Sequence, residues 1–169
     1  MPCVQMAIAT ELTEQDVVSS NHVLGVKIGL EYLFSLGHTR IAFVTNDVTT
    51  ADRKNAYNIY MRERGYESQE FMFRGKVKNE KGGYTAAQKL LTSPTPPTAL
   101  FCANDYIAIG AMKALRDMGL RVPEDVSVLG FDDSEMLDYL DCPLTTVRQH
   151  KHKLGGAGRE HSGDAHAGG

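Results

Sequence analysis

Apolar positions along this chain alternate between two periods. From Asn21 to Leu36, Val23, Val26, Leu30 and Leu33 recur at helical spacing, and Gly37 follows as a residue suited to a left-handed helix end. Ile41-Ala42-Phe43-Val44-Thr45 is then a short, continuous, β-favouring run closed by Asn46-Asp47, which suits a buried parallel strand. Ala51 to Arg64 returns to the helical period, with Ala56, Ile59 and Tyr60 expected on one face and Gly65 closing it. Glu70 to Arg74 resembles a second strand.

The same sequence of elements repeats twice more. Tyr84, Ala87, Leu90 and Leu91 make a helical stripe, Ser93-Pro94-Thr95-Pro96-Pro97 breaks it, and Ala99 to Ala103 is strand-like. Asn104 or Asp105 can cap the next helix, striped by Ala108, Ala111, Leu115 and Met118 and ended by Gly119. Val122-Pro123-Glu124-Asp125 turns into a last strand candidate, Val126 to Phe131. Helices alternating with buried strands predict a parallel α/β sheet.

The ends differ from this middle. Val4 to Ile8 and Asp16 to Ser19 each suit one strand, with no helix between them, and read as the remnant of a second lobe. Beyond Leu154 the chain is glycine-rich and nearly without apolar residues, so disorder is expected there.

Composition then removes several functions. The chain has 169 residues and a net charge of −3, with no dense basic block, so DNA binding by this polypeptide alone is not expected. It shows neither a signal-peptide pattern nor an apolar run near the length of a membrane span, which points to the cytoplasm and away from a membrane. Cys3, Cys102 and Cys142 are widely spaced and read as reduced, mostly buried thiols. No dinucleotide or Walker pattern accompanies Gly82-Gly83, no nucleophile elbow is present, and no cysteine has a base placed beside it, so neither a cofactor nor an enzyme activity is expected. The late histidines His150, His152, His161 and His166 are too irregular for a built metal site.

In open parallel sheets ligands bind beyond the carboxyl ends of the strands. Three such ends carry the densest polar chemistry of the chain: Asn46-Asp47 with Arg53 soon after, Asn104-Asp105, and Asp132-Asp133. Carboxylate, amide and guanidinium together suit a neutral polyhydroxylated ligand, a sugar or a nucleoside. Each residue also has a plainer use, since Asn and Asp after a strand cap helices and make turns. Arg53 is the exception, because a cation early in a helix opposes the helix dipole and gains nothing locally.

Four blocks of this sequence resemble the LacI/GalR repressor family. They are Leu36-Gly37-His38-Thr39-Arg40-Ile41-Ala42-Phe43; Phe101 to Asp105 with Ala108-Ile109-Gly110-Ala111; Gly119 to Asp133; and Leu144-Thr145-Thr146-Val147-Arg148-Gln149. The resemblance implies an α/β fold of the periplasmic-binding-protein-like type I class, a doubly wound parallel sheet with one nearly complete lobe and a remnant of the other. It implies residues 1–40 as the N-terminal-lobe remnant, 41–142 as the C-terminal lobe, 143–154 as a crossover and 155–169 as the tail.

By the same resemblance Arg53, Asn104, Asp132 and Gln149 are effector-binding positions, with Asn46, Asp47 and Asp133 as further candidates and no metal. A small-molecule effector, operator DNA gripped through a helix-turn-helix headpiece that this chain lacks, and a homodimer helped by the helix bearing Ala111 to Leu115 are its implied partners. The change of composition after Leu154 suggests a truncated or frame-shifted product. The family often stacks an aromatic residue on its ligand from the loop before the third helix, where Gly75 to Glu80 offers none. Two other readings remain: a periplasmic sugar-binding transport component of the same fold, and a hydrolase using Asp132 or Asp133, for which no nucleophile or metal partner is found.

Overall fold

The computed structural model describes residues 6–8, 10–12, 18–20, 22–46, 51–73 and 79–149. Three short strands, β1 (Met6–Ile8), β2 (Thr10–Leu12) and β3 (Val18–Ser20), precede helix α1 (His22–Ser35). Then follow β4 (Ile41–Asn46), α2 (Ala51–Glu63), β5 (Gln69–Phe73), α3 (Asn79–Leu91), β6 (Ala99–Cys102), α4 (Asp105–Asp117) and β7 (Ser127–Asp132). A 3-10 turn, Glu135–Tyr139, leads to β8 (Thr145–Gln149). The expected alternation of helix and strand is present through the middle, and Gly37, Gly65 and Gly119 end their helices at φ values of 87°, 73° and 75°.

Six strands form one sheet in the order β1-β8-β7-β6-β4-β5, every pair parallel, while β2 and β3 form a separate antiparallel ribbon. From β4 the chain moves outward through α2 to β5, and from β6 it moves the other way through α4 to β7. The gap between the carboxyl ends of β4 and β6 is therefore the topological switch point, the crevice where such sheets bind ligands.

The core is bimodal because strand side chains alternate between faces. Phe43, Phe101 and Phe131 line one face, with rings 5.5 Å and 6.4 Å apart along the row, and Tyr57 of α2 stacks on Phe43 at 5.1 Å. Helix α1 lies on the same face, so close that a Cβ on Gly29 would meet the Phe101 ring at 2.6 Å. On the other face α3 and α4 touch backbone to backbone. A Cβ on Gly83 would come within 2.0 Å of the Ile107 carbonyl oxygen, and one on Gly110 within 1.9 Å of that of Glu80. Only glycine permits this contact.

Several expectations change here. Helix α1 shares the core formed by β4, β6 and β7, so a division at residue 40 cuts through packed side chains. Met6–Ile8, read as part of another lobe, pairs with β8 at the edge of this sheet. On α2 the inward face is Ala56, Tyr57 and Met61, while Ile59 is 53% exposed. Tyr57 takes the inward place because its hydroxyl, which donates to the Ile41 carbonyl at 2.6 Å and accepts from the Gln69 amide at 3.0 Å, is satisfied there. Ala111 and Leu115 of α4 are fully buried, so they belong to the core and not to an outer surface. Of the thiols, Cys102 is buried, with desolvation pushing its pKa far up, whereas Cys142 is exposed against expectation. Cys3 and the tail histidines lie outside the described residues. Among the described residues no helix is long and apolar enough to cross a membrane, and no group of three or more metal-binding side chains is assembled.

Candidate ligand-binding site

Arg53 organises the switch point. Standing in the first turn of α2 it is 6% exposed, and such burial of a cation requires partners. It has three. Nη2 donates to Asp132 Oδ1 at 3.0 Å, Nη1 donates to the Ala103 carbonyl oxygen, and the guanidinium lies 3.9 Å from the centroid of the Phe131 ring. One side chain thus spans from the start of α2 to the ends of β6 and β7. Its Nε is buried and has no acceptor among the described residues.

Asp132 and Asp133 close β7 in an unusual backbone. Their φ angles are +106° and +53°, a region that costs non-glycine residues about 1–3 kcal/mol and tends to mark ligand clamps. The turn is held from several sides: Arg148 Nε donates to Asp133 Oδ2, and the Ser134 amide donates to Asp105 Oδ2 at 2.7 Å. The rim therefore carries two cation–carboxylate pairs, Arg53–Asp132 and Arg148–Asp133.

Asn104 has the plainer use foreseen for it, as N-cap of α4, its Oδ1 accepting from the Ile107 amide at 2.9 Å. The cap leaves Nδ2 as the part of that side chain able to face a ligand. Asn46 ends β4 beside the same crevice, and its Nδ2 donates to Asn79 Oδ1 at 3.1 Å, joining β4 to the start of α3. Gln149 is the last residue of β8, in register with Ile8; its side chain, like the whole of Asp47, lies outside the described residues. Arg53, Asp132, Asp133 and Asn104 are thus brought to one edge of the sheet, with Asn46 at the neighbouring strand end.

Four more residues belong to this edge: His22, Thr146 and Arg148, which periodicity and strand-end reading passed over, and Asp105, named at its strand end as a possible cap. His22, first residue of α1, meets the Phe131 ring edge-on at 6.4 Å. Burial and the nearby Arg53 charge push its pKa below the ordinary value, against the pull of Asp132 and Asp52, so it is neutral at pH 7. Asp105 is 1% exposed and takes the Thr146 hydroxyl at 2.6 Å as well as the Ser134 amide. Arg148, the fourth, was visible only as one letter of a family block.

A family model described as "Periplasmic binding protein-like domain" matches residues 30–158, most of the chain. The chain belongs to this family. Among the family's relatives, the "Ribose operon repressor" of Escherichia coli (strain K12) is 36% identical over 165 residues, covering 92% of this chain and 48% of that repressor. The "HTH-type transcriptional repressor PurR" of Pasteurella multocida (strain Pm70) is 33% identical over 159 residues, covering 92% of this chain and 47% of PurR. Among solved structures, a LacI family transcriptional regulator from Enterococcus faecium "with bound ribose" superposes with a TM-score of 0.70 at 27% identity, over 80% of this chain and 51% of that one. The family's α/β architecture and its LacI-type regulators account for both the fold and the sequence blocks. The chain spans about half the length of the relatives it matches.

Proposed function

We propose that this chain is the effector-sensing part of a LacI-type transcriptional regulator and takes a neutral sugar of the ribose class at the Arg53–Asp132 rim. The observation that carries this reading is Arg53 itself, a buried cation held across the switch point by Asp132, the Ala103 carbonyl and the Phe131 ring. A guanidinium and a carboxylate fixed side by side donate to and accept from neighbouring hydroxyl groups without either having to be reoriented.

The charge balance favours a neutral ligand over a phosphorylated one, because both arginines of the rim are already matched by a carboxylate. A sugar is favoured over a purine because Phe131 is fully buried, with Arg53 over it and His22 at its edge, so its ring offers no face for a base to stack on. Regulation, and with it a cytoplasmic place, is favoured over transport or catalysis because the relatives are transcriptional repressors. In the whole regulator the sugar would favour one orientation of the lobes, coupled to operator affinity by about 1–3 kcal/mol.

The lobe carrying the rim is 41–142 together with α1 and β8, which pairs with β7 in the same sheet and supplies Arg148 to the rim. A homodimer forms through the outer side of α4. A groove of about 600 Å³ there is lined by Ile109, Met112, Leu120, Tyr139 and Leu140, and Tyr139 is 86% exposed.

Amide shifts in nuclear magnetic resonance spectra test the ligand, since they register binding in the millimolar range. D-ribose and D-glucose are expected to move the amides of Ala103, Asn104 and Asp132, hypoxanthine to leave them in place, and Arg53→Met to abolish the sugar response. No movement at these amides with either sugar, or an equal response in Arg53→Met, overturns the reading.

A further inference from the structure

Asp105 is buried to 1% exposure next to the cap residue of α4, yet its carboxylate plays no part in capping. It reaches sideways to two other elements. Oδ1 accepts the Thr146 hydroxyl of β8 at 2.6 Å, and Oδ2 accepts the Ser134 amide at 2.7 Å, 41 and 29 residues away in sequence. Asp132 and Asp133, the two non-glycine residues with left-handed φ among the described residues, immediately precede the Ser134 anchor. Thr146 Oγ1 also lies 3.4 Å from the Asp133 amide. The strand beneath leaves room for no larger side chain: a Cβ on Gly130 would meet Asp105 Oδ1 at 2.4 Å.

We propose that Asp105 is a positioning residue of the effector site: its carboxylate holds the Asp132–Asp133 turn and β8 in place, and so sets the geometry in which Asp132 meets Arg53 and the ligand. The proposal rests on the sugar-binding reading above for its functional half. A buried carboxylate is a costly anchor, and burial raises the Asp105 pKa against the lowering effect of Thr146 and the Ser134 amide. The titratable groups facing it are Asp132 and the Cys102 thiol. Its two acceptor oxygens account for the expense. A neutral amide in its place presents an NH₂ group to one of two donors, and the strained turn loses a tether.

Two variants and one wild-type titration decide the matter. In Asp105→Asn, the Ser134 amide should exchange with solvent about tenfold faster or more, the loss of one charge-assisted hydrogen bond, while amides of β4 and β6 keep their wild-type rates. Thr146→Val, which keeps the carboxylate and removes one donor, should give a smaller change at the same amides and serves if the first variant does not fold. In the wild type the Ser134 and Asp133 amide shifts should follow a single acid midpoint above the ordinary aspartate value, and that step should vanish in Asp105→Asn. The D-ribose response at Asp132 should weaken in both variants. Wild-type exchange and shifts at Asp132, Asp133 and Ser134 in Asp105→Asn overturn the proposal. Failure of the wild-type chain to respond to either D-ribose or D-glucose overturns the sugar reading instead, and the amide measurement still decides whether Asp105 holds the turn.

Discussion

The two edges of the sheet handle polar groups in opposite ways. At the amino edge His38 sits between Thr98 and Ser127, with Nδ1 2.9 Å from Thr98 Oγ1 and Nε2 2.9 Å from Ser127 Oγ. Thr98 Oγ1 is also 3.3 Å from the Arg40 carbonyl, to which it donates, so it accepts from His38 Nδ1–H, and Ser127 donates to Nε2. The cluster is neutral, its backbone is unstrained, and it joins the starts of β4, β6 and β7. At the carboxyl edge the groups are charged, two consecutive aspartates are left-handed, and Arg53 Nε is buried without an acceptor among the described residues. One edge is built for stability. The other carries strain and unmet hydrogen-bonding capacity, which is where ligand binding has something to gain.

The largest expected effect removes the support common to both edges. Gly110→Ala drives a Cβ into the Glu80 carbonyl and should destabilise the chain by about 3 kcal/mol in a denaturant titration. His38→Ala comes next. Loss of two hydrogen bonds at the amino edge should cost about 2 kcal/mol, a fall of roughly 4–8 °C in Tm, with the sugar-induced shifts at Asp132 unchanged. Asp133→Gly sharpens the contrast. It relieves a left-handed residue but gives up the partly exposed pair with Arg148, so stability should stay within about 1 kcal/mol of wild type while the sugar response falls. A loss of stability there matching that of His38→Ala would erase the distinction between the edges.

Acid sets Asp105 apart in sign from His38, His22 and Asp125 and should give the smallest change. Burial lowers the His38 pKa, so the unfolded chain takes up the proton more readily. Its contribution is whole above the unfolded value near 6.5 and is lost as pH falls through the lower folded value. Asp125, bonded to Arg121 ahead of β7, titrates at about 2, and its contribution is lost between the usual aspartate value and that one. Asp105 has the opposite sign: its raised folded pKa makes its contribution greatest below the ordinary aspartate value and smaller as pH rises through the folded one. Unfolding midpoints from pH 7 to 5 should therefore decline, less steeply in His38→Gln, with His22→Gln removing a further share.

What could be read from the sequence was local. Gly37, Gly65 and Gly119 marked helix ends because a left-handed residue is needed within a turn or so of each helix, and Ile41 to Thr45 announced a buried strand by composition alone. Arg53 stood out because nothing nearby accounted for it. Asp105 did not, since an aspartate beside a cap already has a local explanation and its partners lie on other elements. The inward turn of Tyr57 in place of Ile59 depended on a carbonyl sixteen residues earlier, which no period reveals. Pairing of Met6–Ile8 with β8 was likewise beyond a reading that works outward from each segment.

The mutual glycine contact between α3 and α4 bears on how the rim can move. At Gly83 and Gly110 no side chain separates the two backbones, so the helices cannot slide past one another there without backbone atoms colliding. Asn79 and Asn104 stand at the front of these helices, and Asn79 holds Asn46. The edge carrying Asn46, Asn79 and Asn104 therefore moves as one rigid body, so the sugar proposed for it would meet a jaw that is already shaped.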